Sequence, residues 1–360
     1  MSDVKYRQLV EVLKAGIREG KYASGQRIPS VRALIRRFKM SSVTVQHSLD
    51  ELSRQGFLVR RPGSGTFVTR QGASRKIGLI VPGVAYSEFF SIIVAEISKL
   101  ATASGYIVLL GDMSSSDVRK RAKAARKFAA DLVSESVTGV IYQPFEFIDD
   151  ADRLNEEIVS VLDDAGIPVV LLDYDIKPPP ERSKFDVVGI NNMDAGYRLG
   201  NHLLDAGAKR IHFLIRPNSS PSIRNRMRGV RTAVHASSRA QCDFGVFLGE
   251  PDDLTALKRY LRRFRPDAFV CGGDVAAAML MKSLAKLGKR VPDDIRLAGV
   301  NDLRFTSLLN PPLTTIHQPI AQIAEAAFKR ILARVADHSM PPCEMFLPAP
   351  LIVRESTVRK

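Results

Sequence analysis

The chain has 360 residues, 45% of them hydrophobic and 25% charged, the make-up of a folded globular protein rather than a disordered one. That length exceeds what one compact core organises, so two or more domains are expected. The formal net charge is +15 and lies unevenly: residues 1–76 hold 16 Lys/Arg and 5 Asp/Glu, a net of +11, while the rest hold 37 and 33, a net of +4. A basic head on a nearly neutral body points to a polyanion at the head. Cys242, Cys271 and Cys343 are odd in number and far apart, which excludes a disulfide framework and a CxxC metal site. Residues 1–25 lack the apolar core of a signal peptide and no apolar run is long enough to span a bilayer. The expected location is the cytoplasm, with no membrane partner.

In the head, Tyr6, Leu9, Val10, Leu13 and Ile17 recur at helical spacing, with Gly20 placed to cap the helix end. Ser30 can N-cap a second helix that sets Leu34, Ile35 and Phe38 on one side. After the short connection KMSS, Ser41 or Ser42 can cap a third helix running to about Gln55, with Val45, Leu49 and Leu52 inward. Ser42, Val43, Gln46 and His47 then face outward near its start, with Thr44 to one side. A small, uncharged helix start suits the major groove, and its amides and positive dipole end can meet phosphate. Gln46 can bridge the N6 and N7 edge of an adenine, a contact worth roughly 1–3 kcal/mol of discrimination. Its bland reading is a solvated helix face, and an exposed histidine such as His47 is more often incidental. Arg32, in the first turn of the second helix, is a better phosphate or base candidate than Arg36 or Arg37. FLVRR and TFV flank PGSG, a hairpin whose tip, Gly63, Ser64 and Gly65, is poor enough in side chains to let backbone amides approach DNA. It would also serve simply to close a small domain.

Helix, turn, helix and basic hairpin over residues 27–68 are the grammar of a winged helix-turn-helix that reads double-stranded DNA. YRQLVEVLKAGIREGKYASGQRIPSVRAL, SSVTVQHSLDEL and QGFLVRRPGSGTFV closely resemble the GntR family of bacterial winged-helix regulators across residues 5–68. The resemblance implies DNA contacts from Arg32, from the start of the third helix and from the wing glycines. Ser42 and Gln46 stand where that family commonly has arginines, so the docking mode carries over and the operator sequence does not. Residues 69–76, TRQGASRK, read as a linker.

From Lys76 short apolar runs (KIGLIVP, YIVLL, TGVIYQP, IPVVLLD, DVVGI, RIHFLI, DFGVFL, PDAFVC, IRLAGV) alternate with helix-length segments, one of them a long basic helix at about 116–135. Such alternation means parallel sheets buried on both faces. Some 284 residues of it imply two α/β subdomains. The expected fold class is therefore multidomain, α+β and α/β: a winged helix-turn-helix followed by two interleaved αβα subdomains with a ligand cleft. Ligands in open α/β sheets bind beyond the strands' carboxyl ends. Residues just after the strands include Phe89 and Phe90, Asp173, Asn191 and Asn192, Arg226, Asp274, Asn301 and Asp302, and then Gln318. Planar carboxylates, amides and a guanidinium beside aromatic faces suit a sugar. Singly, each has a structural reading as core, turn or solvated residue.

IGLIVP…FF, VVGINNMDAGYRLGNHLLDAGAKRIHFL, RxxG at Arg226–Gly229, VPDDIRLAGVND and NPPLTTIHQP resemble the effector domain of the LacI/GalR repressors, which shares the periplasmic-binding-protein fold. The resemblance places ligand contacts at Phe89, Phe90, Asp173, Arg226, Asn301 and Gln318, and Asp274 joins them by position. Gly273 stands where an asparagine is usual and Asn301 where an aspartate is, which leaves the sugar's identity open. It further implies subdomains at about 77–189 with 319–342 and about 190–318 with 343–360, and a homodimer on a palindromic operator. The expected function is a ligand-responsive transcription regulator, a repressor of carbohydrate-utilisation genes released by a sugar. The alternatives are an activator or co-repressed regulator with a non-sugar or acidic-sugar effector, and a GntR-headed enzyme resembling pyridoxal-phosphate aminotransferases. The last lacks its lysine setting, since Lys282 and Lys286 lie on a helical stripe, so no cofactor, metal or catalytic residue is expected.

Overall fold

The computed structural model describes residues 2–18, 21–23, 25–69, 76–84, 87–111, 113–115, 117–178, 180–237 and 242–358. The expected cap Gly20 and most of the expected linker, residues 70–75, lie outside them.

Three helices and a hairpin make the head: α1 (Ser2–Arg18), α2 (Val31–Phe38), α3 (Ser42–Arg54), β1 (Leu58–Arg61) and β2 (Gly65–Val68). Leu9, Leu13 and Ile17 of α1, Leu34 of α2, and Val45, Leu49 and Leu52 of α3 close on Leu58 and Val68 as one core. Ser30 caps α2 by accepting from the Ala33 amide at 3.3 Å. Of the two candidate caps of α3, Ser41 takes the role, accepting from the Thr44 amide at 3.2 Å. The antiparallel hairpin pairs Leu58 with Val68 and Arg61 with Gly65, which leaves residues 62–64 as its tip.

The body holds two six-stranded sheets. The first contains β3 (Lys76–Ile80), β4 (Ile107–Leu110), β5 (Gly139–Tyr142), β6 (Val169–Leu172), β7 (Asp186–Ile190) and β13 (Glu344–Leu347), in the order β13-β7-β6-β5-β3-β4, every pair parallel. Its helices are α4 (Glu88–Ala103), α5 (Val118–Ser134), α6 (Ala151–Asp164) and α11 (Ile320–Ala336). The second contains β8 (Arg210–Ile215), β9 (Asp243–Leu248), β10 (Ala268–Cys271), β11 (Arg296–Asn301), β12 (Thr314–His317) and β14 (Leu351–Ile352), in the order β14-β12-β11-β10-β8-β9, with only β14 antiparallel. Helices α7 (Asn192–Asp205), α8 (Pro221–Ala236), α9 (Leu254–Phe264) and α10 (Asp274–Lys286) belong with it. Central strands β5, β6 and β10 are buried at every residue, as strands covered by helices on both faces must be.

The chain crosses between lobes after β7, after β12 and after β13. The third crossing corrects the expected boundary. Residues 343–347 were expected in the second lobe, yet β13 runs parallel to β7 in the first sheet, with Glu344 opposite Val187 and Leu347 opposite Ile190. The cause is Asp186, fully buried at the head of β7. It accepts from Arg330 at 2.8 Å, from Arg334 at 2.8–3.0 Å and from the Cys343 amide at 2.9 Å, tying α11 and the start of β13 to the first lobe. Burial alone would raise its carboxyl's pKa, but these donors hold it below the ordinary value.

Candidate nucleic-acid interface and ligand cleft

The outer face of α3 is built by subtraction. Val45, Ser48, Leu49 and Leu52 are buried, so Ser42, Val43, Gln46 and His47 are left outside; Val43 is 78% exposed with nothing apolar to cover it. The expected residues then divide. Ser41 and Thr44 spend their hydroxyls on the helix start, 2.8 Å apart. His47 lays its ring on Tyr6 of α1, centroids 4.6 Å apart. Ser42, Val43 and Gln46 stay unengaged on the surface, and Arg32 is exposed on neighbouring α2. Arg60 pairs with Asp50 at 3.0 Å and reaches the Gln46 carbonyl at 3.5 Å, so it braces the hairpin against α3. Gly63 and Gly65 have φ of 72° and 120°, which glycine alone adopts readily, and Ser64 between them is exposed. A Cβ on Gly65 would lie 2.4 Å from Nε of Arg27. Sequence reasoning passed over Arg27, whose position beside the wing comes from an isolated bridge to Phe67.

A cleft of about 390 Å³ opens at the carboxyl ends of both sheets, and all seven expected residues line it: Phe89, Phe90, Asp173, Arg226, Asp274, Asn301 and Gln318. Phe89 and Phe90 meet edge to face, 5.5 Å between centroids. Arg226 gives Nε to the Asn192 side chain at 2.7 Å and Nη1 to the Gly272 carbonyl at 2.6 Å, while Asn192 donates to Asp173 at 3.0 Å. Burial lowers the Arg226 pKa, against the opposing pull of Asp173, Glu146 and Asp274. A second string runs from Gln318 to Asn301 at 2.7 Å. Asp173 and Asn301 have φ of 70° and 129°, positive values that place both cleft residues in sparsely populated backbone regions. Asp274 is committed inward: it accepts from the Thr315 hydroxyl at 2.7 Å and the Leu303 amide at 3.0 Å, and burial pushes its pKa up to about 6. Asp302 is not among the cleft's lining residues; its carboxylate accepts from Arg354 at 2.7 Å and bonds His317 at 2.9 Å.

Several lining residues were not anticipated: Arg121, Gln143, Glu146, Arg216, Ser220 and Ser222. Gln143 and Glu146 follow β5, so the position rule that selected Asp173 after β6 reaches them too. Arg121 had no such signal, being one cation in a basic helix. Buried atoms without a partner include Oε1 of Gln143, Oε2 of Glu146 and Nε of Arg121, all on the first lobe's wall.

Residues 5–68 match the family described as bacterial regulatory proteins, gntR family, and residues 201–357 match the periplasmic binding protein-like domain. The arabinose metabolism transcriptional repressor of Geobacillus stearothermophilus is 25% identical over 98% of this chain and 97% of its own length. The HTH-type transcriptional repressor PurR of Vibrio campbellii is 27% identical over 88% of this chain and 89% of its own. Among solved structures, the periplasmic binding protein/LacI transcriptional regulator of Alkaliphilus metalliredigens, complexed with D-xylulofuranose, superposes with a TM-score of 0.65 at 22% identity, covering 79% of this chain and all of that one. No helix among the described residues is long and apolar enough to cross a membrane.

Proposed function

We propose that this chain, which joins a gntR-family DNA-binding head to a periplasmic-binding-protein-like body, is a repressor of carbohydrate-utilisation genes that a sugar releases from its operator. The observation that carries the reading is the cleft. One polypeptide sets a polar, uncharged helix start beside a glycine-tipped wing, and separately holds a 390 Å³ cavity lined by aromatic rings, a buried guanidinium, amides and carboxylates. That lining matches vicinal hydroxyls and ring C–H faces. Its partners are then double-stranded DNA and a small carbohydrate, and its place is the cytoplasm beside its DNA.

The mechanism is linkage. The cleft lies between lobes joined by three crossings, so a ligand touching both walls favours their approach. In a homodimer that approach changes the spacing of the two heads, and operator affinity falls by the ligand's differential affinity for the two states. Edge strands β4 and β9 support a dimer: Ile107 is 63% and Leu248 67% exposed, apolar side chains on open sheet edges.

The test pairs calorimetric titration of a carbohydrate panel with operator gel shifts at fixed salt. A bound sugar that lowers operator affinity supports the switch; a bound sugar that leaves DNA affinity unchanged sinks it, and one that raises affinity makes the chain a co-repressed regulator.

A further inference from the structure

Helix α5 carries six cations between residues 118 and 127. Arg126 pairs with Glu157 at 2.6 Å and Lys127 with Asp131 at 2.9 Å, while Arg119, Lys120 and Lys123 are exposed. Arg121 differs from all five. It is half-buried, lines the cleft, and its Nε is closed to solvent with no hydrogen-bond partner.

The other charges around the cavity are already engaged. Arg226 holds Asn192 and the Gly272 carbonyl, Arg216 pairs with Glu250 at 2.7 Å, Asp173 accepts from Asn192, and Asp274 accepts from Thr315 and Leu303. Glu146 is the acid with an unpartnered oxygen, Oε2; burial raises its carboxyl's pKa, against the opposing hydrogen bonds from Ser220. Beside it Gln143, only 4% exposed, turns an unpartnered Oε1 inward. Across the cavity α10 begins at Gly273 with no side-chain cap, and Asp274, Val275 and Ala276 of its first turn line the cleft. The first lobe's wall therefore offers the Arg121 guanidinium for negative charge, beside polar groups suited to hydroxyls.

Building on the cleft's role as effector site, we propose that the effector is an acidic carbohydrate: a polyhydroxy body bearing a carboxylate or phosphate, the acid group held by Arg121 and hydroxyls held by Gln143 and Glu146. Guanidinium is the side chain suited to such planar, charge-assisted recognition.

The test is calorimetric titration of the full chain, in a phosphate-free buffer, with D-glucose, L-arabinose, D-gluconate, D-glucuronate, D-galacturonate and D-glucose 6-phosphate. At least one acid should bind about tenfold or more tightly than the neutral sugars. The carboxylate and phosphate arms identify the source of the charge. Arg121→Gln should remove that advantage, and Arg121→Lys should restore part of it; a thermal melt checks that each variant folds. Neutral sugars binding as tightly as the acids, with Arg121→Gln changing neither, overturn the acidic effector and leave the sugar switch standing. If no probe binds, or if binding survives Arg226→Ala, the cleft's role as effector site fails with it.

Discussion

At the scale of single residues, Gln46 and Arg32 offer DNA different chemistry. Gln46 projects an amide with donor and acceptor together from an exposed helix face, while Arg32 brings a fork of donors from the helix behind it. Gln46→Ala should relax discrimination at one base position by about 1–3 kcal/mol, seen in affinities for operators varied base by base. Arg32→Ala should weaken binding to all sequences and flatten the salt slope by about one phosphate's worth. Equal losses on every sequence for Gln46→Ala would remove it from base reading. Asp274 gives a prediction in pH. Its carboxyl titrates near 3.8 by default and at about 6 in the fold, so between those values the folded chain binds more protons than the unfolded one. Through this group stability falls as pH rises from about 4 to about 6. Asp274→Asn loses an acceptor for Thr315 or Leu303, costing about 1–3 kcal/mol at low pH. Its deficit in melting temperature should narrow by neutral pH; a gap that widens contradicts the shift.

Among the elements, α7 and α8 set the position of Arg226. A Cβ on Gly196 would sit 2.0 Å from the Arg226 carbonyl, and one on Gly229 would sit 2.1 Å from the Met193 carbonyl, so the helices cross backbone to backbone. That contact brings Asn192, at the start of α7, within reach of Arg226 Nε. Gly229→Ala must force the helices apart, costing about 1–3 kcal/mol or more, and should abolish ligand binding even where the melt shows a folded chain. Asp186 does similar work for α11. Asp186→Ala leaves two guanidinium groups largely buried without their carboxylate, a loss of about 3–5 kcal/mol by chemical denaturation. Because its pKa is depressed in the fold, this contribution is present above the ordinary carboxyl pKa and is lost as pH falls through the folded value.

For the whole molecule, the lobes already touch across the cleft's rim. The Phe147 amide donates to the Asn218 carbonyl at 2.8 Å, the Asn218 side chain donates to Asp149 at 2.7 Å, and the Arg216 guanidinium lies 4.8 Å from the Phe147 ring centroid. On the other side the Arg304 amide donates to Glu88 at 3.3 Å. Such exposed contacts are worth about 1 kcal/mol or less each, enough to bias a two-state equilibrium without locking it. Asp149→Ala combined with Glu88→Ala should therefore weaken effector binding several-fold by depopulating the competent state, and should lower effector-driven operator release in step. Unchanged effector affinity would mean these contacts do not gate the cleft.

The sequence by itself determined the elements and the kind of site. Helical spacing in residues 6–17 and 45–52, turn chemistry at PGSG and apolar runs between helices depend on near neighbours, and they yielded the head, the two sheets and the strand-end positions at which a cleft would lie. The resemblances supplied the subdomain plan and most of the ligand positions. Tertiary structure decided what depends on distant partners. Asp186 could be seen as the start of a strand, but not as the anchor of Arg330, Arg334 and Cys343, so β13 was assigned to the wrong lobe. Ser41 and Thr44 were counted with the DNA-facing helix start and His47 with its outer face, yet the cap and the Tyr6 ring engage them. Arg121 was one of six cations on a basic helix, because a helical pattern reports which face is apolar and says nothing about which polar residue meets a cavity made by another part of the chain. Burial without a partner, a property of the folded whole, is what distinguishes it.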